Sequence, residues 1–328
     1  MITGNFAAVR PLRIVIPGGS GQVGQVLARH FQRRGDRVTV LTRGPHTAEW
    51  ETVHWDAHTP GIWTQYLEGA DVCINLAGRS VNCRYTPENR LQIYNSRIVS
   101  TRLLGNVIGS LANPPRVWLN ASTATIYRHA LDRSMDEKTG ELGGDEAGAP
   151  DSWNFSVRVA RDWETAFFKA DTPRTRKVAM RSAITFSPVT GNAFAVLSNL
   201  VRVGLGGTQG NGRQWVSWIH EDDFARAVEF LIAREDLEGA VNIASPYPEQ
   251  NREFMALLRE AWDMPNGIPA PAPLLELAAF FMRTETELVL KSRRVIPTRL
   301  LDAGFKFQIP HWAHAAEDLV ERWRRSRQ

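Results

Sequence analysis

The run Pro17-Gly18-Gly19-Ser20-Gly21-Gln22-Val23-Gly24 places glycines at spacings that suit phosphate binding. Gly19-x-Gly21-x-x-Gly24 matches G-x-G-x-x-G, and Gly18-x-x-Gly21-x-x-Gly24 matches the related G-x-x-G-x-x-G spacing. One glycine makes a tight turn, one lets the backbone approach a pyrophosphate, and the last lets a helix pack close to a strand. The flanks agree: Leu12-Arg13-Ile14-Val15-Ile16 reads as a strand, and Val26, Leu27, His30 and Phe31 recur at helical spacing. The helix start then offers free N–H groups and a partial positive charge to phosphates. The chemistry implied is dinucleotide binding by residues 18–24.

A second strand, 37–42, ends in Thr42-Arg43-Gly44. No acid stands there to hold a ribose 2′-OH, as an NAD site usually requires. Arg43 can set a forked cation against a 2′-phosphate, and Thr42 can add a hydroxyl, so NADP(H) is expected. The competing reading makes Arg43 a solvated loop residue. Two roles are open to Asp56, acceptor of adenine's amino group or cap of a turn. The small residues of Leu76-Ala77-Gly78 would let a ribose or adenine lie against bare backbone. Ser122, at the end of strand 116–121, either sits beside the nicotinamide and orients a carbonyl or alcohol, or simply begins a loop.

These residues need a scaffold that brings strand ends together. Strands are expected at 12–17, 37–42, 52–55, 71–76, 116–121 and 176–182, and helices at 22–34, 62–68, 87–111 and 153–170. Alternation of this kind gives an α/β fold, a Rossmann-type doubly wound parallel sheet with helices on both faces. The near-continuous apolar run 71–76 suits a strand buried on both faces. Beyond 183, glycine and proline become denser, and 204–212 reads as a long glycine-rich loop. Residues 222–244 return to alternation, with a helix at 224–233 and a strand at 240–244; further helices are expected near 274–291 and 311–325. The dinucleotide-binding domain is therefore expected at 11–182 plus 222–244, and a smaller, discontinuous C-terminal substrate domain at 183–221 plus 245–328.

Composition fits such a protein: 328 residues, 43% apolar and 23% charged, with a net charge of +4. The charge is spread out except in the tail, Arg322-Trp323-Arg324-Arg325-Ser326-Arg327, whose cations suit a helix C-terminus. No nucleic acid or membrane partner is expected. Two cysteines, Cys73 and Cys83, make no disulfide framework. Residues 1–11 lack the apolar core of a signal peptide, and the most apolar stretch, 274–282, is too short to span a bilayer. A cytoplasmic protein with a small-molecule substrate is expected. His311 and His314 lack a third ligand, so no metal site is expected.

The glycine turn, Asn75-Leu76-Ala77-Gly78, Ser122, Asn95-Ser96-Arg97, the segment Gly210-x-Gly212-Arg213-Gln214-Trp215-x-Ser217-Trp218-Ile219-His220 and the run Val289-Leu290-Lys291-Ser292-x-x-Val295-Ile296-Pro297 carry a family pattern. The chain resembles the extended short-chain dehydrogenase/reductase superfamily, most closely its NAD(P)-dependent epimerase/dehydratase-like branch, over nearly its whole length. The resemblance implies hydride exchange supported by Tyr-x-x-x-Lys, in which the lysine lowers the tyrosine's pKa. Here Phe155 and Val159 hold those positions, and neither moves a proton. Tyr127, Arg158 and His220 are the substitutes considered, each with a structural alternative. The resemblance further implies that the 206–218 loop covers the substrate, with Arg213 on an anionic group and Gln214, Trp215 and Trp218 as a wall; a core position for both tryptophans is the open alternative. Two functions stay open: an atypical NADP(H)-dependent oxidoreductase or epimerase-like enzyme, with Ser122 and Tyr127 at the reacting centre, or a non-catalytic NADP(H) sensor or scaffold.

Overall fold

Three strands' alternation explains how the core is layered. In the computed structural model, which describes residues 10–45, 47–144, 146–189, 191–273, 275 and 286–327, β1 (Arg13–Pro17) sends Ile14 and Ile16 to one face and Val15 to the other. β4 (Val72–Asn75) does the same with Val72 and Ile74 against Cys73, and β5 (Val117–Thr123) with Val117 and Leu119 against Trp118. A strand buried on both faces needs helices on both sides. One face is covered by α1 (Gln22–Arg33) and α5 (Glu221–Ala233), through Leu27, Phe31, Phe224 and Leu231. The other is covered by α2 (Pro87–Ser110) and α3 (Asp151–Phe168), through Leu104, Ile108 and Phe167.

With β2 (Arg37–Thr42), β3 (Glu51–His54), β6 (Arg176–Ser182) and β10 (Gly239–Ile243), these strands form one seven-stranded sheet in the order β10-β6-β5-β4-β1-β2-β3. Every pairing in it is parallel. The chain builds outward from β1 to β3, then returns to lay β4 on the far side of β1. That reversal opens a crevice at the carboxyl ends of β1 and β4, the place where such sheets bind ligands.

The helix expected at 62–68 is a 3₁₀ turn, Ile62–Tyr66. The segment after 183 holds more structure than its glycines suggest. β7 (Ile184–Phe186) pairs with β9 (Trp218–His220), and β8 (Trp215–Val216) with β11 (Glu249–Gln250). α4 (Ala193–Arg202) starts where the Asn192 side chain accepts from the Ala195 N–H, and α6 (Asn251–Ala261) follows β11 directly. Of the helix expected near 274–291, only α7 (Glu287–Leu290) and isolated residues fall within the described chain. α8 (Thr298–Asp302) and α9 (Trp312–Arg325) complete the fold. A second core joins Phe186, Phe194, Trp218, Phe254, Trp312 and Trp323 away from the sheet. Among the described residues, no helix is long and apolar enough to cross a membrane, and no group of three or more His, Cys, Asp or Glu is placed to hold a metal ion.

Candidate active site

The turn after β1 is shaped by what glycine lacks. Gly18 has a φ of +76°, and a Cβ there would stand 2.7 Å from the Ala77 backbone. Its N–H donates to the Leu41 carbonyl at 2.9 Å, tying the turn to β2. A Cβ on Gly24 would stand 2.4 Å from Gly19 Cα, so these two glycines fold the turn onto the helix. Gly21 differs: a Cβ there would meet only the Gly18 carbonyl, at 3.8 Å. Gly21 caps α1 without any side-chain hydrogen bond, which leaves the first turn of the helix open to an anion. Gln22 and Val23 act elsewhere with their side chains: Gln22 Nε2 donates to the Thr185 carbonyl, and Val23 packs on the sheet core.

A cleft of about 450 Å³ lies over this turn, bounded by Gly18, Ser20, Gly21, Thr42 and Arg43 on one side and Leu76, Ala77 and Gly78 on the other. Thr42 is buried and its Oγ1 lies 3.2 Å from Ser20 Oγ, while Arg43 is exposed at the rim. The fully buried Asn75 fixes the far wall. Its Oδ1 accepts from the Ala77 N–H at 3.1 Å, and its Nδ2 donates to Asn120 Oδ1 at 2.7 Å. Asp56 is a turn cap: its carboxylate accepts from the N–H groups of His58 and Thr59 and from Thr59 Oγ1. Those bonds hold it well below the usual carboxylate range. Its neighbours Trp55, Ala57 and His58 bound the cleft.

Beyond Gly78 a second cavity, of about 260 Å³, opens at the end of β5. Ser122, Thr125, Phe155 and Val159 bound it, so the two apolar replacements stand in one cavity with Ser122. Ser122 Oγ donates to Glu164 Oε1 at 2.6 Å, and Arg181 grips the same carboxylate at 2.8 and 2.7 Å. With its proton given to Glu164, Ser122 offers the cavity an acceptor. Arg97 reaches in from α2; its guanidinium packs against Gly78 and 5.2 Å from the Trp163 ring, and it donates to the carbonyls of Arg79 and Ile93. Burial lowers it to about 10. Three polar groups escaped the sequence reading altogether: Tyr85, Ser156 and Glu287 also line this cavity. Lys291, 1% exposed, lies behind Glu287 and donates to the Thr125 carbonyl; burial and the Arg293 charge lower it to about 8.

Other expected residues lie elsewhere. Tyr127 is buried off this cavity, with its hydroxyl donating to Asn242 Oδ1 at 2.9 Å and accepting from Arg181 at 3.0 Å. Both capacities of the phenol are used structurally, and the reacting-centre role expected for it is corrected accordingly. Trp218 is corrected too: it is fully buried in the second core, 5.1 Å from Trp312, and no wall of either cleft. Gln214 is buried and donates to the carbonyls of Gln209 and Val289, Trp215 stacks under Arg294, and Arg213 is exposed; none of the three bounds either cleft. Arg158 is exposed, and the buried His220 caps α5 and contacts Asp318.

The model of the NAD dependent epimerase/dehydratase family matches residues 14–244. The chain belongs to that family. A domain of unknown function, DUF1731, matches residues 270–319, which include Glu287 and Lys291. An epimerase family protein of Staphylococcus epidermidis is 30% identical over 94% of this chain and 99% of its own. One from Staphylococcus saprophyticus is 31% identical over 93% and 98%. Among solved structures, the human epimerase family protein SDR39U1 (isoform 2), crystallised with NADPH, superposes with a TM-score of 0.81 at 27% identity, covering 94% of this chain and 99% of that one. A nucleoside-diphosphate sugar epimerase from Corynebacterium glutamicum gives 0.74 at 26%, covering 95% of this chain and 59% of that one. Membership in the epimerase/dehydratase family agrees with the Rossmann-type sheet and its crevice.

Proposed function

We propose that the chain is an NADP(H)-dependent enzyme that exchanges a hydride with a small polar carbonyl or hydroxyl compound, in an oxidoreductase or epimerase-like reaction. One observation carries this reading: the open helix start over Gly21 and the Ser122 cavity lie on the same sheet edge, on either side of Gly78. A dinucleotide laid from one to the other would put its pyrophosphate at α1 and its nicotinamide end at β5. The glycine cradle fits that group: a Cβ at Gly21 would meet only the Gly18 carbonyl, at 3.8 Å, so the helix start faces open space. Bound there, the coenzyme supplies hydride exchange. Thr42, Ser20 and Arg43 would hold a 2′-phosphate at the rim; the human relative's NADPH supports the phosphorylated form. The division into 11–182 plus 222–244 and 183–221 plus 245–328 belongs to the same reading, supported by a second core drawn entirely from the latter set.

Phe155 and Val159 favour a second reading, a coenzyme sensor without catalysis. A panel of small aldehydes, ketones and alcohols followed by NADPH absorbance separates the two. Turnover is expected with at least one polar member. Tight NADPH binding without turnover of any member selects the sensor.

A further inference from the structure

We infer that Tyr85, Ser156 and Glu287 form a proton relay at the reacting end of the cleft, in place of the missing tyrosine–lysine pair, with Tyr85 meeting the substrate hydroxyl. The inference rests on the hydride-exchange reading above and names the groups that would move the accompanying proton.

Of the chain's five tyrosines, Tyr85 alone lines the cavity that holds Ser122 and Phe155. Its ring meets Phe155 edge-on, with centroids 5.2 Å apart. A phenol is thus delivered from the loop before α2 to the spot where α3 supplies none. The Tyr85 hydroxyl lies 3.3 Å from Ser156 Oγ, and Ser156 Oγ donates to Glu287 Oε2 at 2.5 Å. A serine has one proton, so with that proton directed at Glu287 its oxygen accepts from Tyr85. The chain of hydrogen bonds is polarised from the cavity towards a carboxylate. Arg293 and Lys291 stand 3.6 and 3.8 Å from Glu287 Oε1 and balance its charge. Arg97, lining the same cavity, supplies the cation that Val159 cannot.

In alcohol oxidation the substrate O–H bond breaks and its proton passes to the Tyr85 oxygen. The Tyr85 proton passes to Ser156, and the Ser156 proton to Glu287, which ends protonated and later returns it to solvent. The carbinol carbon loses its hydrogen as hydride to the oxidised nicotinamide coenzyme, so the substrate is oxidised to a carbonyl and the coenzyme reduced. The reverse order reduces a carbonyl. Because each oxygen gains a proton as it loses one, no phenolate forms. Burial, which pushes the Tyr85 phenol up to about 12, is then no obstacle. A neighbouring lysine, whose task is to stabilise a phenolate, becomes dispensable.

The test uses the full chain labelled at the tyrosine ring carbon that bears the hydroxyl, observed by NMR during titration with NADP⁺, with the Tyr85 signal assigned by Tyr85→Phe. The signal is expected to shift at NADP⁺ saturation, and to shift in ligand-free Ser156→Ala and Glu287→Gln. A Tyr85 signal that stays fixed through saturation, or fixed in both variants, overturns the relay. With any compound that the panel shows to be reduced, Tyr85→Phe should lower kcat about a hundredfold or more while NADPH affinity is kept. Retained kcat in that variant overturns the relay as well. Absence of any NADP⁺-dependent change in tyrosine or tryptophan signals would instead sink the cleft reading on which the relay rests.

Discussion

A methyl group at Gly21 has room to sit, so any loss it causes falls on what binds at the helix start; at Gly18 or Gly24 it collides with backbone. The three positions therefore separate binding from folding. Gly21→Ala should keep the urea midpoint of the parent and lose NADPH affinity. Gly24→Ala should lower stability by about 1–3 kcal/mol, the range for overpacking, and Gly18→Ala should do the same with the left-handed φ adding to it. Equal binding losses with equal stability losses in all three would count against this assignment. Lys291 gives a pH test. Its folded pKa, about 8, lies below the lysine value of about 10.4 that the unfolded chain would show. Between those values the unfolded state holds more protons, so this group makes stability rise with pH across the window, and contributes no slope below it. The rise is on the order of 3 kcal/mol. Urea unfolding from pH 8 to 10 should show a steeper rise for the parent than for Lys291→Met; parallel curves would place Lys291 in contact with water. The glycine turn and the placement of Arg43 and Ser122 were legible, because spacing and strand ends fix where these residues fall. Tyr85, Ser156 and Glu287 were not, since 71 residues separate the first two and 131 the last two, and no local periodicity links them.

Elements divide into those with a long period and those without. All seven sheet strands were readable; β1, β4 and β5 stood out as apolar runs that burial on both faces leaves uninterrupted, whereas the edge strand β3, Glu51–His54, is short and exposed at both ends. β7, β8, β9 and β11 have two or three residues each, too few for any alternation to register. That gap explains why Trp218 was open to two readings. In β9, alternation sends Ile219 into the sheet core and Trp218 the other way, onto Trp312 of α9. Trp312 is fully buried, stacks on Phe254 at 4.0 Å and donates its indole N–H to the Phe254 carbonyl, joining α9 to α6. Trp312→Ala should therefore cost about 3–5 kcal/mol in chemical unfolding, as large aromatic truncations in cores do. A loss below about 1 kcal/mol would mean that α9 is not held by this cluster.

At the scale of the whole molecule, the basic tail turns out to be engaged with the body. Arg322 pairs with Asp222, Asp318 and Glu221, and Arg324 with Asp263, so part of the apparent excess charge is matched locally. The sheet, the crevice at its β1–β4 reversal and the cavity beyond Gly78 together suit a nicotinamide dinucleotide coenzyme. A ligand that binds only the folded chain stabilises it by about 2.7 kcal/mol at a hundred times its Kd, so NADPH should also raise the melting temperature. The most direct test is a paired titration of the parent and Arg43→Ala with NADPH and NADH, followed by tryptophan fluorescence. The parent should bind NADPH about tenfold or more tighter than NADH, the worth of one charge-assisted hydrogen bond, and Arg43→Ala should erase that preference without weakening NADH. Tighter binding of NADH by the parent, or binding of neither coenzyme at millimolar concentration, would contradict the account.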